Sequence, residues 1–187
     1  MWKMMNTLIL KFPQLLNIGH VAYFDKRETL LNEGDVCRNV FIIETGCIRS
    51  WLNNDGNDIT FQFFFPDDIV TSFESLKNGY PALYNIESIT AVRLRVIKQH
   101  ELLQLLDEDA NIKQAIDDYI AERMYHYQKL FISRIKNKPQ QRYEELVSTQ
   151  PEIFEKVPHH YIATYLGITP VSLSRIRSKT SPPINNC

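Results

Sequence analysis

The sequence predicts an α+β chain, with an antiparallel β-roll in front, one long helix behind it and a helical helix-turn-helix domain at the end. Three observations carry this. Short β-type runs, each cut by turn residues, fill the first half of the chain. The stretch from Asn111 to about Asn137 contains neither Gly nor Pro. From Pro158 onward, two short amphipathic helices face each other across a single glycine. The expected boundaries are a β-roll sensor domain over 1–110, the long helix over 111–137 and the helix-turn-helix domain over 138–187.

The β-type runs come at regular short spacing. Thr29-Leu31 leads into Glu33-Gly34-Asp35, and Val40-Glu44 into Thr45-Gly46. Cys47-Leu52 meets Asn53-Asn54-Asp55-Gly56, a hairpin signal because Asn, Asp and Gly tolerate positive φ. Ile59-Phe65 stops at Pro66-Asp67-Asp68, and Tyr84-Thr90 and Val92-Lys98 flank Ala91. Such spacing argues for an antiparallel sandwich or barrel. Ahead of the strands, Thr7–Leu16 reads as a short helix broken by Pro13.

Helical signals take over near Gln99. Glu101-Leu106 is a short helix. Asn111–Asn137 then allows one helix of about 26 residues, about 40 Å long. Ile112, Ile116, Tyr119, Arg123, Tyr127 and Leu130 recur along it at three- and four-residue steps. A lone helix with such a stripe needs a cover, and a second copy of the chain is the simplest, so these six are the expected dimerisation residues. The alternative is packing on the chain's own β-domain. Arg123 is expected to be paired, by Asp118 or Glu122 of a partner helix or by an acidic ligand wedged against the β-roll. Pro139 ends the helix, Gln140-Ser148 forms another, and a short one follows Pro151.

Composition bounds the function. The 187 residues are 44% hydrophobic and 23% charged, which suits one or two globular domains. No apolar run approaches the roughly 18 residues of a membrane span, and Asn6, Lys11 and Pro13 interrupt what would be a signal-peptide core. The expectation is therefore a cytoplasmic protein without a membrane partner. Cys37, Cys47 and Cys187 form no CxxC pair and no metal-ligand spacing, so free thiols and no metal are expected. Residues 1–110 carry 10 Lys/Arg against 15 Asp/Glu, whereas residues 111–187 carry 11 against 7. Residues 158–187 have three Lys/Arg and no carboxylate, which points to a polyanion partner at this end.

The strongest motif is His159-His160-Tyr161-Ile162-Ala163-Thr164-Tyr165-Leu166-Gly167-Ile168-Thr169-Pro170-Val171-Ser172-Leu173-Ser174-Arg175-Ile176. Ile162 and Leu166 share one helix face, and Ala163 is small where a second helix crosses. Gly167 ends the first helix, Thr169 caps the second, and Pro170 takes its first position. Leu173 and Ile176 then face inward. Thr169, Val171, Ser172, Ser174, Arg175, Arg177 and Lys179 are left for DNA. His159-His160 is not a metal pair, because adjacent helical residues do not face each other.

With these residues in hand, the chain resembles the Crp/Fnr superfamily, the cyclic-AMP receptor protein and its relatives. The likeness rests on Leu31-x-Glu33-Gly34-Asp35, Phe41-Ile42-Ile43-Glu44-Thr45-Gly46, Asn54-Asp55-Gly56, Phe65-Pro66-Asp67-Asp68, the long helix and the C-terminal motif. It implies a jelly roll of the cyclic-nucleotide-binding type, a dimerisation helix, and a regulator that binds double-stranded DNA as a homodimer. RNA polymerase and a small-molecule effector are the further partners it implies.

The anchors of the family's nucleotide site fall on Thr71-Ser72 and Ala82-Leu83, and Lys77 is the only basic side chain between Asn53 and Val92. A buried phosphate without a counter-charge is costly, so the effector is expected to be something other than cyclic AMP. Thr71-Ser72-Phe73-Glu74 reads instead as a capping box. Residues 1–36 hold no cysteine for the family's iron–sulphur sensor, and His20 and His100 are lone histidines with no haem-site context, so no cofactor is expected. Val147–Pro158 is too short and too helical for the family's β-hairpin wing. No nucleophile motif, metal spacing or phosphate loop supports an enzyme, and no catalytic residue is assigned. The competing expectation is a β-roll interaction module whose helix-turn-helix does not bind DNA.

Overall fold

Alternation along the strands splits the molecule into three cores. The computed structural model describes residues 12–180. Eight strands form two antiparallel sheets: β1 (His20–Phe24), β8 (Val92–Lys98), β3 (Asn39–Thr45) and β6 (Ile69–Val70) in one, and β2 (Thr29–Leu31), β7 (Asn85–Ser88), β4 (Ile48–Asn54) and β5 (Asn57–Phe64) in the other. Successive side chains of a strand point to opposite faces. Phe41 and Ile43 of β3 therefore turn into the roll, where they meet Ile48, Phe64, Ile86, Leu94 and Val96. Val40 and Ile42, with Ile97, turn outward onto Leu15, Leu76 and Ile112. On the other sheet, Phe63 faces out and joins Cys47, Phe65 and Ile89 in a core shared with the C-terminal helices.

The turns follow from their residues. Gly46 sits at φ +94°, and a Cβ there would come within 2.5 Å of the Ala91 carbonyl oxygen, so only glycine lets β3 pass this close to the β7–β8 turn. The Asn53–Gly56 hairpin is closed by the Gly56 N–H, which donates to Asn53 Oδ1. Strands β1 and β6 carried no clear alternation and were not expected. The helix expected over Thr7–Leu16 lies mostly outside the described residues, and its described end, Pro13–Leu16, is a single 3-10 turn.

Seven α-helices are described: α1 (Phe73–Asn78), α2 (Gln99–Glu108), α3 (Ala110–Lys136), α4 (Pro139–Thr149), α5 (Ile153–Lys156), α6 (His159–Tyr165) and α7 (Pro170–Thr180). Asp109 caps α3 by accepting from the Asn111 and Ile112 amides. Arg134 and Lys136 in its last turn suit the negative end of the helix dipole.

The capping box expected at Thr71 does not form. The Thr71 hydroxyl donates to the Asn39 carbonyl of β3, α1 starts after Ser72 without a side-chain cap, and Glu74 accepts from Asn78 instead. Tying Thr71 to the sheet removes it from the helix end. Between α4 and α6 the only regular element is the four-residue α5, so no β-hairpin wing stands there.

Candidate nucleic-acid interface and the contacts that hold it

Helices α6 and α7 meet as the motif requires. Ile162, Ala163, Leu166 and Leu173 are buried in one core, with Ile168 and Ile176 packed against it. Gly167 turns the chain at φ +67°, and Thr169 Oγ1 accepts from the Ser172 amide, capping α7. This leaves Thr169, Val171, Ser174, Arg175 and Lys179 exposed on one helix, with Ser172 half-buried. Arg177 is half-buried and pairs with the His159 ring at the start of α6. That pairing gives His159 a role the sequence did not reveal: it holds Arg177 near the opening of α6.

Helix α6 is docked on the β-roll. Arg49 of β4 is 1% exposed, and its guanidinium lies 3.9 Å from the centre of the Tyr161 ring. Trp51 flanks it at 4.8 Å. Arg49 Nη2 is 2.7 Å from Asp58 and 3.4 Å from Glu87, and Nη1 donates to Thr60 Oγ1. Beside it the Thr60 amide donates to Thr164 Oγ1, and Phe63 packs on Tyr165 at 5.2 Å. A buried charge is tolerated only when paired and hydrogen-bonded, and Arg49 meets both conditions within hydrogen-bonding reach of its own sheet.

A second arginine ties the domain to α3. Arg142 donates through Nε and Nη2 to the Leu166 carbonyl at the end of α6, and through Nη1 to the Asn137 and Arg134 carbonyls at the end of α3. Arg134 in turn donates to the Tyr165 carbonyl at 2.6 Å. Carbonyls at helix ends lack intrahelical donors, so these two side chains satisfy both helices at once.

The stripe read along α3 divides. Ile112 is fully buried, and Ile116 and Tyr119 pack with it on the outer face of the β1-β8-β3-β6 sheet, so these three serve the chain's own core. Arg123 also faces inward, 9% exposed, with its guanidinium 5.8 Å from Phe64 and 5.1 Å from Tyr127, donating to the Tyr127 hydroxyl. Leu130 lines a crevice between α3 and α4. The large apolar side chains left bare are Met124, Tyr125, Tyr127, Phe131, Ile132 and Ile135, all 42% exposed or more. A straight 3.6-residue reading cannot tell which of two apolar faces meets the β-roll.

In the β-roll the segments Thr71-Ser72 and Ala82-Leu83 are already engaged. Ser72 and Ala82 are buried, the Ala82 amide donates to the Asp35 carbonyl, and Leu83 points out, 71% exposed. Tyr84, which the sequence did not flag, bridges the gap by donating from its hydroxyl to the Thr71 carbonyl. Asp68 is 2% exposed and accepts from the Phe65 amide, and burial pushes its carboxyl up from 3.8 to about 7 despite Arg123 nearby. His20 and His100 are exposed, and no group of His, Cys, Asp and Glu able to hold a metal ion occurs among the described residues. Cys37 and Cys47 are buried free thiols, and Cys187 lies outside the described residues. No described helix is long and apolar enough to cross a membrane.

Residues 21–109 match the cyclic nucleotide-binding domain family. No curated protein matches the chain in sequence. Among solved structures, FixK2 from Bradyrhizobium japonicum superposes with a TM-score of 0.74 at 20% identity, over 87% of this chain and 84% of that one. The c-di-GMP-responsive global regulator CLP of Xanthomonas campestris gives 0.71 at 16% identity, over 90% and 89%. A Crp/Fnr-family protein from Eubacterium rectale gives 0.67 at 16% identity, over 90% and 86%. At such identities the likeness is one of fold. Residues 21–109 thus resemble a cyclic nucleotide-binding domain in sequence, and the β-roll, long helix and helix-turn-helix together have the fold seen in these three structures.

Proposed function

We propose that the chain is a sequence-specific transcription regulator that binds an inverted-repeat operator as a homodimer. Its β-roll, over 1–110, answers to an effector other than cyclic AMP, the helix over 111–137 joins two copies, and residues 138–187 hold the DNA. The observation that carries the reading is α7, a capped helix beyond a glycine turn whose exposed face bears Val171, Ser174, Arg175 and Lys179 and no carboxylate. CLP and the Eubacterium rectale protein, similar in fold, are described as regulators. The homodimer contact is assigned to the bare face of α3, with Met124, Phe131 and Ile135 at its centre. RNA polymerase is the further protein partner that such a regulator engages.

Two α7 helices enter successive major grooves about 34 Å apart. Arg175 supplies most of the base discrimination, since a guanidinium can bond O6 and N7 of guanine together. The test is binding of inverted-repeat and scrambled duplexes at two salt concentrations. Arg175→Ala is expected to cost about 1–3 kcal/mol on the preferred site and much less on the scrambled one. Loss of Arg177 or Lys179 weakens both alike and flattens the salt dependence. Phe131→Asp is expected to shift the light-scattering mass to the monomer. Absence of salt-dependent DNA binding by the wild-type chain favours the second reading, a β-roll interaction module, which the missing hairpin wing between α4 and α6 keeps in play.

A further inference from the structure

Between the β-roll and α3 the described residues line a cleft of about 590 Å³. Its walls are the outward-facing Val40, Ile42 and Ile97 of one sheet, with Ile116 and Ile120 of α3 opposite. Arg123 of the same wall lies against Phe64 and Tyr127 and donates to the Tyr127 hydroxyl, so what the cleft offers an occupant is apolar surface. Protein interiors pack to crystal density, and water settles only where it finds two to four polar partners. Walls of this kind call for an apolar cover.

The chain brings one to the rim. Phe12, Leu16 and Ile18 pack on the core outside the β1-β8-β3-β6 sheet, and Leu15, 2% exposed, belongs both to that core and to the lining of the cleft. Residues 1–11 join the fold at this point. Seven of the eleven are large and apolar, two are lysines and none is a carboxylate. Set on a helix, Trp2, Met5, Leu8 and Ile9 share one side, and Lys3, Asn6, Thr7 and Lys11 share the other. Residues 2–11 so wound span about 15 Å, against about 12 Å for the wall from Ile116 to Met124. The charges agree as well: α2, which brings Leu102 to the cleft, carries Glu101, Asp107 and Glu108 and no Lys or Arg.

We infer that residues 2–11 of the chain itself plug this cleft, with Trp2, Met5, Leu8 and Ile9 against its walls and Lys3 and Lys11 on the outside. Such a plug needs little intrinsic affinity, because a segment tethered at the rim has an effective concentration in about the millimolar range. The cleft borders Met124 and Phe131, so the plug meets the face of α3 assigned to the second copy. The inference goes beyond the regulator reading and holds with or without DNA binding.

Trp2 reports on it, because Trp51 is the only other tryptophan and Trp51→Phe leaves Trp2 alone. In the full chain with that substitution, Trp2 is expected to emit to the blue of Trp2 in a peptide of residues 1–12, and iodide should quench it at least five-fold less. Met5→Asp with Leu8→Asp, on the apolar side, raises quenching to the level of the peptide. Thr7→Asp, on the polar side, leaves it within about two-fold of the parent. Ile120→Lys in the cleft wall acts as the double Asp variant does. A chain lacking residues 2–11 binds the peptide saturably, one per chain, and the full chain does not. Thermal unfolding identifies any variant that fails to fold. Met5 and Leu8 lie outside the described core and decide if Ile120→Lys fails, and the peptide titration, with Trp51 in place, decides if Trp51→Phe fails. Trp2 quenched like the peptide, protection that survives Met5→Asp with Leu8→Asp, or equal uptake of peptide by both chains overturns the inference. Protection lost on dilution assigns the segment to a second copy, and protection untouched by a folded Ile120→Lys assigns it to another surface. A small molecule carried one per chain in native mass spectra, and lost in Ile120→Lys, assigns the cleft to that molecule. Each of these overturns the inference too.

Discussion

Two buried arginines hold the two sides of the β-roll, and they are built on opposite terms. Arg49 sits where the roll meets α6, against an aromatic ring, with Asp58, Glu87 and Thr60 around its guanidinium. Arg123 sits where the roll meets α3, between Phe64 and Tyr127, on the wall of an open cleft, and burial pushes up the carboxyl of Asp68, to which it is electrostatically coupled. The first arrangement fixes a geometry. The second keeps a charge in a place that is not close-packed. The β-roll therefore holds α6 through a closed cluster of charges and α3 mainly through apolar packing beside a cleft.

Removing one partner of a buried ion pair leaves the others stranded. Arg49→Met is expected to cost about 3 kcal/mol in urea unfolding, the low end for such a loss because Asp58 is 45% exposed and recovers water. Arg123→Met is expected to cost about 1 kcal/mol or less, because Asp68 can take up a proton when its neighbour is lost. Equal losses at the two sites would erase the contrast.

Asp68 sharpens it through pH. Its carboxyl is raised in the folded chain from 3.8 to about 7, so the fold prefers the protonated acid. The contribution to stability is complete below about pH 4 and is lost as pH rises through about 7. His126 works the other way. Burial, then Arg123 and Lys129, lower it to about 4, so stability from that group rises between about pH 4 and 6.5. The informative quantity is therefore the difference between wild type and Asp68→Asn, which keeps an oxygen for the Phe65 amide. Urea midpoints at pH 4.5 and 7.5 should show wild type losing ground to the variant at the higher pH. A constant difference would mean that Asp68 is an ordinary charged carboxylate.

How much of this was legible in the sequence depends on the range of the interaction. Val92–Lys98 is a strand with the bounds its alternation predicted, and the cap at Thr169 and the turn at Gly167 follow from residues within a few positions of one another. Arg49 was passed over because its partners lie 9, 38 and 112 positions away, at Asp58, Glu87 and Tyr161, and nothing local marks them. A charge inside the mostly apolar Cys47–Leu52 run was the one available signal. On α3 the period was right and the facing was not fixed by it. Ile112, Ile116 and Tyr119 meet the roll because Val40, Ile42 and Ile97 point outward from it, a fact of sheet register that a helix cannot report about itself.

The smallest expected effect tests whether the grip on α6 is one unit or two. Thr164 accepts from the Thr60 amide at 3.2 Å and donates its own hydroxyl to the Tyr161 carbonyl. Thr60 also accepts from Arg49, whose guanidinium lies on the Tyr161 ring, so the two contacts share both neighbours. Thr164→Val keeps the shape and leaves the Thr60 amide without this acceptor, for a loss of about 1 kcal/mol. Sites that share partners are not additive, and couplings of about 0.5 kcal/mol or more are usual. With Arg49→Met already in place α6 is loosened from β4, so Thr164→Val should then cost visibly less than it does alone. A double variant whose loss equals the sum within about 0.3 kcal/mol would make the hydrogen bond and the stacked arginine separate attachments, each holding α6 by itself.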